Sequence, residues 1–341
     1  MNAPLHGLFA KRVRGDDALL ALSQNRFEQV GLAAEMYAGS PDRLAHVLGY
    51  TPAGTRAPMV HLARELDLLR DSDRAGVIEL VRRFGGRLSG LVLHDHHDTP
   101  RRLTEVPRAA AEVSQALVAS GSAKLFVEYA AGSTLDEFVA LGECLAPFEQ
   151  VGVCIDTGHV GIREARRRFA ARAPDAGVDL AYLSADDPRL YELVDEVVAA
   201  VAVGRSAVTG LIEAVGSQTN PVHFHLHDGH PLVPGLSDHF AFQRSLPIPF
   251  AWQGRRSLPT LYGVDGLAAI LRRAREEIPS ERLSMTLEIH QGYGRLGLEP
   301  HDAELFRDWG DLTNAERQNS WLAVITESAA LVRGLSPQVL S

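Results

Sequence analysis

The chain predicts an α/β fold, a closed (β/α)8 barrel of the TIM type. Three observations lead there. Short apolar runs with a period of two alternate with longer amphipathic stretches along the 341 residues, which is the pattern of a parallel sheet with helical crossovers. Eight such runs can be placed, the number that closes a barrel. Their polar residues gather at the carboxyl ends, where barrels of this kind carry their chemistry.

The first strand is expected near Leu5–Ala10, ahead of a helix over Asp16–Glu28. The second lies near Val30–Tyr37, followed by a short helix from Pro41. The third, near Pro58–Leu62, precedes a helix over Asp73–Phe84 and a fourth strand, Gly90–His94. A helix over Thr104–Ser120 leads to the fifth, Lys124–Glu128. The next helix spans Thr134–Cys144, with Thr134 as N-cap and Glu137 placed for a capping box. The sixth strand is Val151–Asp156, the seventh Val222–His227 and the eighth Ser284–His290. Residues 163–220 are too long for one crossover and read as a helical insertion after strand six. Residues 228–263 read as a long loop at the functional end, with Phe250 and Trp252 as a lid or as packing. A C-terminal helical extension over 299–341 closes a single domain spanning 1–341.

Composition narrows the class. Hydrophobic residues make up 45% of the chain, but no apolar run approaches the ~18 residues of a bilayer-spanning helix, so no membrane segment is expected. The opening residues lack a signal-peptide pattern. Cys144 and Cys154 are the only cysteines and read as unpaired core positions, which points to a reducing, cytoplasmic setting. A net charge of −9 argues against nucleic acid as a partner. Nothing in the sequence decides between a monomer and a homo-oligomer.

Histidine is over-represented, at fourteen residues, and eleven of them cluster in a few stretches near predicted strand ends. Strand parity gives them a direction. In Val222–His227 the apolar Val222, Phe224 and Leu226 must face the helices, so His223, His225 and His227 face the lumen. The same rule turns His61, His94, Glu128, Asp156, His225 and Glu288 inward from six successive strands. Burying these groups is costly unless they meet water, a ligand or a metal. Mixed carboxylates and imidazoles suit a divalent ion such as Zn2+, Mn2+ or Co2+, with Mg2+ as a further option.

The Glu of FVEYAAG, the Asp and His of IDTGH, the His of HFHLHD and the Glu of LEIH give the chain a family likeness. Over roughly residues 57–290 it resembles the xylose isomerase-like TIM-barrel superfamily, which holds sugar isomerases and epimerases, inosose dehydratases and type IV apurinic endonucleases. Likeness to the epimerase branch implies one ion held by Glu128, Asp156, His225 and Glu288, with Glu128 and Glu288 as the acid/base pair. It also implies His159 as a substrate contact; His94 and His227, which face the lumen, are further candidates beside the substrate, with His227 a support behind the ligands. Likeness to the endonuclease branch implies further ligands from His61, His94, His159, Asp238 and His239. That branch separates its late Asp and His by one residue, whereas Asp238 and His239 are adjacent here. The insertion matches neither branch.

Two other motifs carry less. GYGRLG at 292–297 fits a phosphate-gripping turn after the last strand, or a plain glycine-rich turn. The five arginines of 163–172 read as a solvated helix face. The expected function is a divalent-metal isomerase or epimerase, moving a proton between two glutamates on a sugar, sugar phosphate or polyol. A multi-zinc phosphodiesterase of the endonuclease type is the alternative, and a non-catalytic metal-stabilised binding protein the third reading.

Overall fold

The computed structural model describes residues 7–11, 24–38, 40–51, 55–121, 123–130, 133–232, 239–289 and 315–335, with side chains of the last helix from 321. Eight parallel strands close into a barrel. They are β1 (Leu8–Lys11), β2 (Ala33–Tyr37), β3 (Met59–His61), β4 (Gly90–His94), β5 (Lys124–Glu128), β6 (Val151–Asp156), β7 (Val222–Leu226) and β10 (Leu283–Leu287), with β1 closing on β10. The expected fold class is thus present. An additional antiparallel hairpin, β8 (Leu246–Trp252) and β9 (Arg255–Leu258), lies outside the barrel. The described helices are α1 (Pro41–Leu48), α2 (Asp71–Phe84), α3 (Val106–Ser120), α4 (Leu135–Leu145), α5 (Thr157–Arg172), α6 (Leu190–Gly216), α7 (Gly263–Glu277) and α8 (Ala315–Gly334).

Outward apolar residues such as Leu91, Leu93, Leu125, Val153, Ile155, Phe224 and Leu287 are buried under the helices. Inward residues form a smaller plug of Phe9, Ala33, Met59, Val92, Phe126 and Cys154. His223 sits in this layer and meets Ser284 Oγ at 2.7 Å and Thr286 Oγ1 at 3.0 Å. One step nearer the carboxyl ends, register sets polar residues side by side. Lys11 pairs with Glu35, His94 with Glu128, and Asp156 with His225. Alternation therefore seals the lower lumen and leaves its upper rim for chemistry.

The crossover after β6 begins without a loop. Asp156 ends the strand and caps α5, its Oδ1 accepting from the His159 N–H at 2.7 Å. Helices α5 and α6 are antiparallel and closely packed. A Cβ on Gly204 would lie 2.3 Å from Gly161 O, and Arg172 Nε donates to Glu196 Oε2 at 2.7 Å. Gly216 then meets Glu277 at the far end of α7. Since Gly161 and Gly204 lie level with Leu261 at the top of the barrel, α5 and the first half of α6 stand beyond its carboxyl end. At 1.5 Å per residue that overhang is roughly 20 Å long.

The expected long loop contains the hairpin. Its turn uses positive φ at Gln253 (47°) and Gly254 (74°), the conformation that matches strand twist in a two-residue turn. Trp252 Nε1 donates to Asp195 Oδ1 at 3.0 Å, and Phe250 packs edge-on against Tyr191 at 5.2 Å. Both aromatics brace the α6 overhang. Helix α6 is apolar and long enough to cross a bilayer by composition alone, but Val197, Val201, Val208, Leu211 and Ile212 are buried within the fold. Trp321 of α8 packs on Phe27 at 5.6 Å and donates to Ile289 O at 3.1 Å, fastening the tail over the closure between β1 and β10.

Candidate metal centre

Of the five donor groups among the described residues, three that share carboxylates line the carboxyl ends of the strands. The central one is Glu128, Asp156, His225 and Glu288, whose ligand atoms lie within 4.8 Å of one another and are all buried. The structure thus brings together the four residues that the family likeness names. On one side His61 and His94 join Glu128, and on the other His159, His227 and His239 join Asp156. Each shared carboxylate reaches both of its neighbours, and Asp156 Oδ2 also lies 3.5 Å from His159 Nδ1. Glu128 Oε2 lies 3.0 Å from His61 Nε2 and 3.5 Å from His94 Nε2, while its Oε1 lies 3.4 Å from His225 Nδ1. Asp156 Oδ1 lies 2.8 Å from His227 Nε2, and its Oδ2 lies 3.9 Å from His225 Nδ1.

Three imidazoles are oriented from behind. His61 Nδ1 lies 2.9 Å from Leu62 O, and His227 Nδ1 lies 2.8 Å from Asp228 O. A carbonyl only accepts, so in both rings Nδ1 carries a proton, and Nε2 is the nitrogen turned to the centre, against Glu128 Oε2 and Asp156 Oδ1. His225 meets Glu35 Oε2 at 3.2 Å through Nε2, which leaves Nδ1 for the centre. An outer nitrogen donating to a carbonyl or carboxylate is how metal-binding histidines are held. The three anchored rings fall one in each donor group. At the same point Asp156 Oδ2 and Glu288 Oε2 are buried with no hydrogen-bond partner among the described residues. Glu288 Oε2 and His225 Nδ1 approach to 2.6 Å without hydrogen-bond geometry. Two buried carboxylate oxygens without a hydrogen-bond partner among the described residues, converging beside His225 Nδ1, fit a cation.

Charge follows from these contacts. Burial opposes ionisation of each carboxylate, but facing cations override it. His225 holds Glu128 well below the usual carboxylate range, and Lys11 and then His225 do so for Glu288. Asp156 is lowered by His159 and His227 against the same burial. Burial brings His94 down to about 4 despite Glu128, so it is a neutral donor at pH 7.

Lys11 and Glu35 belong to the site and were missed by the strand readings. Lys11 Nζ hydrogen-bonds Glu288 Oε1 and lies 4.0 Å from Glu35 Oε1. Extending inward parity from Phe9 and Ala33 would have found both. Asp228 was also missed. Its buried carboxylate accepts from Gly229 N, Gly263 N and Thr260 Oγ1, each at 2.7 Å, and from Tyr262 N at 3.1 Å. It ties the segment after β7 to the start of α7 and steadies the carbonyl that orients His227. Asp238, His290 and the GYGRLG turn lie outside the described residues.

No family model and no curated protein matches the chain. Among solved structures, one described as the catalytic core of xylanase A aligns with a TM-score of 0.42 and 14% identity, covering 83% of this chain and 86% of that one.

Proposed function

We propose that the chain is a divalent-metal hydrolase acting on a small phosphate ester through a centre of two or three ions. The observation that carries this reading is the sharing of Glu128 and Asp156 between adjacent donor groups. A carboxylate with an oxygen on either side bridges neighbouring ions, the arrangement on which two-metal phosphoester chemistry rests. His61, His94 and Glu128 would hold one ion, the central four a second, and Asp156, His159, His227 and His239 a third. Bound ions would supply a Lewis acid for the phosphoryl group and lower the pKa of water toward neutrality.

Charge supports an anionic substrate. Glu35, Glu128, Asp156 and Glu288 face Lys11 as their single Lys or Arg ion-pair partner among the described residues. One divalent ion would leave this ring negative, whereas two or three would make it positive. The substrate is small rather than a nucleic acid. The overhang beside the site carries seven acidic residues and one arginine over 175–196, and a phosphate backbone would be repelled there.

The second reading is the single-ion isomerase or epimerase of a sugar or polyol. The self-sufficient central group of four favours it. Against it stands Lys11, whose grip on Glu288 Oε1 makes that carboxylate a poor proton acceptor. Assays of zinc- and manganese-loaded protein on p-nitrophenyl phosphate, on its bis ester and on an aldose and ketose panel separate the two. Chelator-sensitive release of p-nitrophenol is expected. Sugar interconversion without ester cleavage would overturn the hydrolase reading.

A further inference from the structure

Lys11 ends β1 beside Glu35 and projects into the lumen, its side chain 11% exposed. Its ammonium has three donors. Among the described residues only Glu288 Oε1 takes one of them, and Glu35 Oε1 at 4.0 Å is beyond hydrogen-bond reach. Glu288 is thus held between two cationic positions. Oε1 faces Lys11, while Oε2 faces His225 and the convergence point with Asp156 and Glu128. The ammonium therefore stands one carboxylate away from the central donor group, at its solvent-reachable edge. Ions bound to that group would neutralise Glu288, Glu128 and Asp156. The ammonium, on its flexible four-carbon stem, would then keep only Glu35 at 4.0 Å as a carboxylate partner among the described residues and have two further N–H donors within the span of one small anion.

We infer that Lys11 is the residue that grips the phosphate group of the substrate, with Glu288 Oε1 as its resting partner. This rests on the multi-ion hydrolase reading. In it, Lys11 binds a phosphoryl oxygen turned away from the ions, which fixes the ester against the centre. The ligand class is a tetrahedral oxyanion on a small molecule, and a neutral sugar would offer those two donors no charged acceptor.

The test is calorimetric titration of inorganic phosphate into zinc-loaded wild type, Lys11→Met and Lys11→Arg, with zinc content measured on each sample. A charge-assisted hydrogen bond contributes about 1.5–3 kcal/mol, so Lys11→Met should weaken phosphate binding by roughly 10-fold or more at unchanged zinc content, and Lys11→Arg should recover most of it. Equal phosphate affinity in Lys11→Met overturns the inference. So does loss of zinc from Lys11→Met, which would make Lys11 a support for Glu288 alone. Wild type that holds its ions yet binds no phosphate refutes this inference while sparing the metal reading. Wild type with fewer than two ions removes the metal reading and this inference together.

Discussion

Replacing Asp156 with Asn separates the structural from the metal-binding work of one side chain. Asp156 Oδ1 accepts the His159 N–H at 2.7 Å and caps α5, while Oδ2 is buried at the convergence point without a hydrogen bond among the described residues. Asparagine is isosteric, and its carbonyl must take the capping position because the His159 N–H is a donor. The amide nitrogen then replaces Oδ2 and presents N–H groups where a lone pair is required. Asn and Asp cap about equally well, so the metal-free stability of Asp156→Asn should change by less than about 1 kcal/mol. Metal binding should fall steeply, since Asp156 belongs to two of the donor groups. Changes behind a metal ligand alone cost roughly 10–100-fold in affinity, so loss of this ligand should exceed about 100-fold. Urea unfolding of chelated protein reads the first quantity, and competition with a chromophoric zinc chelator reads the second. A variant that binds zinc as wild type does would refute the assignment of Asp156. One that unfolds when stripped would show the cap and the ligand to be inseparable.

Two further outcomes are expected. Chelation should leave the circular dichroism spectrum unchanged at 25 °C, because the apolar layer under the helices does not involve the ligands; thermal melts should show Tm falling by roughly 6 °C as the ion contribution of about 4 kcal/mol is lost. Gly204→Val should lower stability by on the order of 3 kcal/mol in urea titrations, since a Cβ there would lie 2.3 Å from Gly161 O and push α5 and α6 apart.

Much of the barrel was legible because bulky β-branched parity ends sharply at a polar residue. Strands β4, β5 and β6 coincide with their expected bounds, and Thr134 and Glu137 form the anticipated capping box. Legibility fell where side chains are small or misleading. Alanines around Glu35 give AAEMY little parity, and a lysine before Arg12 reads as a surface end, so the first strand predicted from sequence stops at Ala10, one residue short of Lys11. Pro247 and Pro249 argue against a strand, yet a two-stranded hairpin tolerates them at its edges. Thr157–Gly158 reads as a turn, whereas Gly158 lies inside α5. A Cβ there would lie 1.9 Å from His227 Cε1, so the glycine serves the approach of that ring. The candidate ligands were legible one by one. Their grouping was not, because it depends on the barrel register that sets Asp156 beside His225 and His94 beside Glu128.

Anomalous diffraction at the zinc edge, on crystals of protein grown with zinc, tests the multi-ion centre most directly. The account predicts at least two anomalous peaks separated by a shared carboxylate: one within Glu128, Asp156, His225 and Glu288, and another against His61 and His94 or against His159, His227 and His239. A single peak within the central four, with the flanking histidines free of metal at saturating zinc, would contradict it and return the site to one-ion chemistry.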